Sequence, residues 1–223
     1  MDRKEAMKLF QTTGIYGITA ERLSAGRSNP EAAEQMLQGG IRFLQYREKK
    51  KSYRCMYEEC RRIRELTRKY NAVFIIDDFV DLALAVGADG VHIGQDDLPP
   101  AVVRELLGPS KVIGLSTHSP EQLEAANKLM DIVDYFGTGP VFATQTKDHP
   151  APVTGLSYLR YAAQHARRPF AAIGGIKEHN IASVAAAGAR TCAVVSAITG
   201  AEDIAGVVQR LRKALMNKVD QVF

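Results

Sequence analysis

Two pairs of adjacent acids, Asp77-Asp78 and Asp96-Asp97, are where this sequence most plainly offers chemistry. Crowded carboxylates repel one another unless one is protonated or a cation bridges them. A few hard oxygen donors suit Mg²⁺, which keeps waters and also takes substrate phosphate. The run Gln45-Tyr46-Arg47-Glu48-Lys49 is the second feature. In an extended chain Gln45, Arg47 and Lys49 share one face. Two cations and an amide are costly to bury without an anion. A diphosphate meets both, with Arg as a planar fork and Lys as a point charge. The competing readings are a surface ion pair with Glu48 and helix capping by Asp78 and Asp97. Capping is the better reading for either aspartate alone; two such sites beside a cationic strand tilt the balance towards a metal.

Other polar clusters recur downstream. Ser116-Thr117-His118 offers a hydroxyl that either donates to a phosphate or caps a helix, with nothing local to choose between them. Thr144-Gln145-Thr146-Lys147, behind Gly137-Thr138-Gly139-Pro140, has the hydroxyls and the cation of an anion-binding loop; a flexible polar loop is the alternative. Gly174-Gly175 and Val195-Ser196 allow backbone amides to approach a phosphate closely. Of the histidines, His92 reads as a hydrogen-bonded strand residue, His118 and His149 border the polar loops, and none is assigned catalysis. Tyr16 and Thr19 line a pocket or merely pack. No Ser-His-Asp or Cys-His arrangement is evident.

The elements that must position these residues alternate along the whole chain. Short apolar, β-branched runs are expected as strands at Gly14–Thr19, Phe43–Arg47, Val73–Asp77, Gly90–Ile93, Val112–Ser116, Ile132–Gly137, Phe170–Ile173 and Cys192–Ser196. Helical patterns follow at Pro30–Gln38, Ser52–Lys69, Phe79–Val86, Pro100–Leu107, Pro120–Met130, Leu156–His165, His179–Ala187 and Ile204–Leu215. Ser119-Pro120 has the form of a helix start, and Gly39, Gly87 and Gly188 that of left-handed helix ends. Strand-then-helix repetition over 223 residues predicts a single-domain α/β fold, a TIM (β/α)₈ barrel. An open doubly wound sheet is disfavoured because no G-x-G-x-x-G follows the first strand. In a barrel the chemistry sits at the C-terminal ends of the strands, where every cluster above falls.

Composition narrows the function classes. Apolar residues at 46% and charged residues at 24% are ordinary for a globular domain with its own core. The net charge of +4 favours small anions as readily as nucleic acid, and no block of like charge forms a nucleic-acid arm. The three cysteines, Cys55, Cys60 and Cys192, match no zinc spacing and read as small buried or half-buried thiols. The first residues hold no apolar stretch of signal or membrane-span length, so a cytoplasmic protein without membrane or nucleic-acid partners is expected. Self-association into a homo-oligomer is left open.

Taken in order, QYREK at 45–49, DLALAVGADGVHIGQDDLP at 81–99, GLSTHS at 114–119, GTGPVFATQTK at 137–147 and AIGGI at 172–176 make the chain resemble the thiamine-phosphate synthase family over nearly its full length. The resemblance implies two substrates, a hydroxymethylpyrimidine diphosphate and a thiazole phosphate in its aromatic or carboxylated form, joined with release of pyrophosphate. It implies that Gln45, Tyr46, Arg47, Glu48 and Lys49 bind the diphosphate substrate, with Asp77, Ser116 and Lys147 completing that site. Asp78 and Asp97 would hold Mg²⁺. Thr144, Gln145 and Thr146 would bind the thiazole phosphate, and Gly175, Val195 and Ser196 its phosphate through backbone contacts. Arg47, Lys49, Lys147 and Ser116 would carry catalysis, by stabilising the departing pyrophosphate. Two positions depart from the family pattern: Asp77 stands where Asn is usual, and Ala20 where an acid is usual. The alternatives are a thiazole tautomerase, an isomerase on the same fold that needs neither metal nor diphosphate site, and a non-catalytic ligand-binding relative. Retained Asp78 and Asp97 argue against both.

Overall fold

The computed structural model describes residues 1–146 and 151–222, with side chains described through residue 218. Parallel strands β1 (Ile15–Ile18), β2 (Phe43–Tyr46), β3 (Val73–Asp77), β4 (Gly90–Ile93), β5 (Val112–Thr117), β6 (Tyr135–Thr138), β7 (Phe170–Ile173) and β8 (Thr191–Val194) close into a barrel in sequence order. The expected single-domain (β/α)₈ fold is therefore found. Closure is completed by β8 pairing with β1, Ala193 opposite Tyr16. The outer layer contains α2 (Asn29–Gln38), α3 (Tyr53–Lys69), α4 (Val80–Val86), α5 (Pro100–Leu107), α6 (Pro120–Asn127), α7 (Gly155–His165), α8 (Ile181–Ala186) and α10 (Ile204–Val222).

Two hydrophobic layers hold the elements in place. Outward strand residues such as Leu44, Tyr46, Phe74, Ile76 and Val91 pack beneath the helices, where they are fully or almost fully buried. Inward residues form a separate interior cluster containing Tyr16, Phe43, Val73, Val112 and Tyr135. The alternation follows from the pleat, in which successive side chains take opposite faces. The helices start as their sequences suggest: Ser119 caps α6, accepting from the Gln122 amide with Pro120 in the first turn. Gly87 ends α4 in the left-handed region.

Several boundaries differ from the expected ones. An N-terminal helix, α1 (Arg3–Thr13), was not anticipated from its polar sequence. Its Phe10 enters the base of the barrel, 4.6 Å from the Tyr135 ring and 5.1 Å from that of Phe43. Only a narrow stripe, Ala6, Phe10 and Thr13, is buried, so the apolar signal was weak. Strand β8 stops at Val194 because Ser196 opens a one-turn helix, α9 (Ser196–Thr199). Gly39 is right-handed (φ −68°), not the left-handed cap expected. A Cβ there would lie 2.8 Å from Ala205 Cα, so this glycine serves the close approach of α10.

Candidate active site

A cavity of about 540 Å³ opens at the C-terminal end of the strands. That is large enough for drug-sized ligands. Six consecutive strands, β1 to β6, supply polar side chains to its lining, and the register explains how. Asp77 pairs with His92, and Ser116 with Gly137, so these residues point inward at neighbouring positions on the rim.

The basic corner is built by β2 and the turn after it. Arg47 is fixed at the end of the strand by its amide, which donates to Thr19 Oγ1 at 3.0 Å. Its Nε lies 3.4 Å from Asp77 Oδ2, and Lys49 Nζ lies 3.1 Å from the same oxygen. Lys49 is also paired with Asp78. Asp78 adopts a left-handed backbone (φ 62°), uncommon for a residue other than glycine. The turn is held by the Asp78 amide donating to the His92 carbonyl at 2.9 Å and the Phe79 amide donating to the Asp77 carbonyl at 2.8 Å. Asp97, in the β4 turn, accepts from the Gly94 amide at 2.6 Å. Neither aspartate caps a following helix: the α4 and α5 N-caps are Phe79 and Pro99, with no side-chain cap bond. Asp77, Asp78, Asp96 and Asp97 all line the cavity. Among the described residues no three acidic, histidine or cysteine side chains gather tightly enough to hold a metal ion by themselves.

The β6–β7 side is assembled from close backbone contacts. The Val141 amide donates to the Ile173 carbonyl at 2.8 Å, and that of Phe142 to the Gly174 carbonyl at 3.0 Å. Gly175 is left-handed (φ 63°), and a Cβ on it would lie 2.5 Å from the Ala143 carbonyl oxygen. These glycines therefore let one loop lie against another. Thr144 and Thr146 face the cavity and share a hydroxyl bond of 3.0 Å. Arg22, in a short 3₁₀ turn after β1, donates to the Gln145 and Thr146 carbonyls at 3.0 and 2.7 Å. Gly175, Val195 and Ser196 complete that wall.

Of the side chains singled out in the sequence, the structure brings Gln45, Arg47, Lys49, Asp77, Asp78, Asp97, Ser116, Thr144, Thr146 and Ser196 to one cavity. Three others from the same runs are placed differently. Tyr46 turns outward, and its hydroxyl donates to Glu59 Oε2 of α3 at 2.7 Å. Glu48 folds back to accept from the Lys49 and Lys50 amides at 2.8 and 3.0 Å. Gln145 is exposed, and only its carbonyl is engaged. Strand alternation explains Tyr46 and Glu48, which take the face opposite to Arg47. Lys147 and His149 lie outside the described residues.

Sequence reading left a central feature unrecognised. Gln45 Nε2 donates to the Tyr16 hydroxyl at 2.8 Å, and Tyr16 bonds the Tyr135 hydroxyl at 3.0 Å. Tyr135 bonds His92 Nδ1 at 3.0 Å, and His92 Nε2 bonds Ser116 Oγ at 2.9 Å. Burial raises the pKa of both phenols and so keeps them protonated. The only available signal was inward tyrosine at Tyr135 followed two positions on by Gly137, an aromatic with space cleared above it.

Three comparisons with known proteins agree. Residues 15–198 match the family model described as thiamine monophosphate synthase. The chain is 52% identical over 220 residues to a thiamine-phosphate synthase of Pelotomaculum thermopropionicum, covering 99% of this chain and 100% of the relative. It is 49% identical over 211 residues to a thiamine-phosphate synthase of Caldicellulosiruptor saccharolyticus, covering 95% of each. Among solved structures it is similar to a thiamine phosphate pyrophosphorylase from Pyrococcus furiosus, with TM-score 0.84, 39% identity, and coverage of 94% of this chain and 98% of that one.

Proposed function

Since this chain belongs to the thiamine monophosphate synthase family and is a thiamine-phosphate synthase, we propose that its cavity joins a pyrimidine diphosphate to a thiazole phosphate by loss of pyrophosphate. The observation that carries the site assignment is the meeting of Arg47 and Lys49 with Asp77 and Asp78 at one rim. A corner that already pairs acids with an ammonium ion suits a divalent cation and the diphosphate it accompanies.

Arg47 and Lys49 bind the diphosphate oxygens, and Lys147, which the family resemblance adds to this site, would supply a further cation. The bond between the pyrimidine methylene carbon and the diphosphate oxygen breaks first, and the diphosphate leaves with the electron pair. These cations are aimed at the charge that grows on it, so they act more strongly in the transition state than on the bound substrate. The thiazole nitrogen lone pair then forms the new C–N bond, giving thiamine phosphate. Thr144 and Thr146, with backbone amides at Gly175, Val195 and Ser196, hold the thiazole phosphate in line for that attack, which is catalysis by orientation. No nucleophile from the chain is required. Burial raises the pKa of the Cys192 thiol to about 12, which keeps it un-ionised.

Asp78 and Asp97 would hold Mg²⁺, the cation implied by a donor set of few hard oxygens. When bound, it would neutralise charge on the leaving diphosphate. Asp77 pairs with Lys49 and Arg47 and so competes with the diphosphate for them. The protein works in the cytoplasm on small molecules, without nucleic acid or membrane. Among the described residues no helix is long and apolar enough to cross one.

The test is direct. Purified protein given both substrates and Mg²⁺ should form thiamine phosphate and pyrophosphate in equal amounts, and a chelator should stop it. Absence of product, or product indifferent to the chelator, overturns the corresponding part of the reading.

A further inference from the structure

The line of side chains inside the barrel has a direction that can be worked out by counting protons. Tyr16 is 2% exposed and Tyr135 is fully buried, so both must satisfy their hydroxyls within the protein. Tyr16 accepts from Gln45 Nε2, so its single proton goes to Tyr135. Tyr135 then spends its own proton on His92 Nδ1. A histidine that accepts at Nδ1 carries its proton on Nε2 when neutral. That nitrogen donates to Ser116 Oγ.

We propose that Tyr16, Tyr135 and His92 are positioning residues whose hydrogen bonds fix His92 as the Nε2–H tautomer and so leave the Ser116 proton free to donate into the cavity. Ser116 thereby presents a donor to a neutral acceptor such as a ring nitrogen, or to a phosphate oxygen. The consequence for substrate rests on the proposed reaction and on the reading of Ser116 as part of the pyrimidine diphosphate site, which the family resemblance implies; the tautomer itself does not.

The barrel has been hollowed to admit this line. A Cβ on Gly114 would lie 2.2 Å from Tyr135 Cζ and 2.4 Å from His92 Nδ1. One on Gly137 would lie 3.1 Å from His92 Cε1. Such glycines weaken strands. Their inward positions make sense as the room needed by Tyr135 and His92, where aliphatic side chains would otherwise fill the interior.

The experiment uses the full chain with its histidines labelled by ¹⁵N, the His92 signals being identified by their loss in His92→Gln. The wild type should show a protonated Nε2 and a bare Nδ1 in the absence of substrates. Tyr135→Phe should shift His92 towards a mixture of tautomers and lower kcat/KM for the pyrimidine diphosphate about tenfold, the scale of one neutral hydrogen bond. His92→Gln can still accept from Tyr135 and donate to Ser116, so it should retain more activity than His92→Leu. A proton on Nδ1 in the wild type overturns the proposal, as does an unchanged tautomer in Tyr135→Phe. Should that variant fail to fold, the wild-type spectrum decides alone. Ser116→Ala with wild-type kcat/KM would remove the role for substrate and the Ser116 assignment beneath it, while leaving the tautomer result standing.

Discussion

Lys49 Nζ lies 3.1 Å from Asp77 Oδ2, so an acid at the cavity rim holds the cation proposed to bind the diphosphate in an ion pair. Arg47 is drawn to the same oxygen at 3.4 Å. A diphosphate must compete with Asp77 for both cations. Asp77→Asn should therefore be tolerated in kcat within a few-fold and should lower KM for the pyrimidine diphosphate, as steady-state kinetics would show. Complete loss of turnover would mean that the carboxylate itself is needed.

Asp97→Ala should lower kcat/KM by about 100-fold or more, the scale of removing a charged group that acts on the transition state. Its circular dichroism should match the wild type. Asp97 also holds the Gly94 amide, so a fall in melting temperature of a few degrees is expected. Titration with Mg²⁺ distinguishes the roles: a metal ligand's loss raises the concentration needed for half-activity, which a purely structural acid would not do.

Tyr46→Phe probes the outward orientation of a residue that the sequence placed in the site. The variant loses a buried hydrogen bond to Glu59, worth roughly 1.5–3 kcal/mol when the acceptor is charged. Thermal unfolding should register that loss, with KM for both substrates within twofold of the wild type. A rise in KM without loss of stability would return Tyr46 to the cavity.

Gly175→Ala should do the reverse. Its left-handed backbone and the Ala143 carbonyl oxygen, 2.5 Å from the added methyl, leave no room without moving the loop that carries Thr144 and Thr146. KM for the thiazole phosphate should rise by about tenfold or more, with that for the diphosphate less affected.

The cysteines offer a check on burial. Cys192 is buried with its thiol pushed up to about 12, Cys60 is also raised by burial, and Cys55 is exposed. A thiol reagent should label Cys55 alone in the folded protein and leave activity unchanged. Rapid labelling of Cys192 would contradict the packing of β8.

Repetition of strands and helices made the barrel legible, because short apolar, β-branched runs alternate with longer helical patterns from Ile15 to α10. The rim clusters were legible too, since barrel strands point their ends at one place. Three kinds of feature escaped. Tyr46, Glu48 and Gln145 lay in functional runs, but a contiguous motif says nothing about which members turn inward; alternation had separated Gln45, Arg47 and Lys49 correctly from their neighbours. The partnership of Tyr16, Tyr135 and His92 joins strands distant in sequence, and the glycine two positions after Tyr135 hints at space there without naming the partners. Helix α1 was hidden because it buries one narrow stripe.

That helix has a bearing on access. With Phe10 wedged between Phe43 and Tyr135, aromatic rings plug the floor of the vessel. Whatever comes to rest against Tyr16 and Ser116 is therefore expected to descend from the opposite rim, past the turns that carry Thr144 and Asp97.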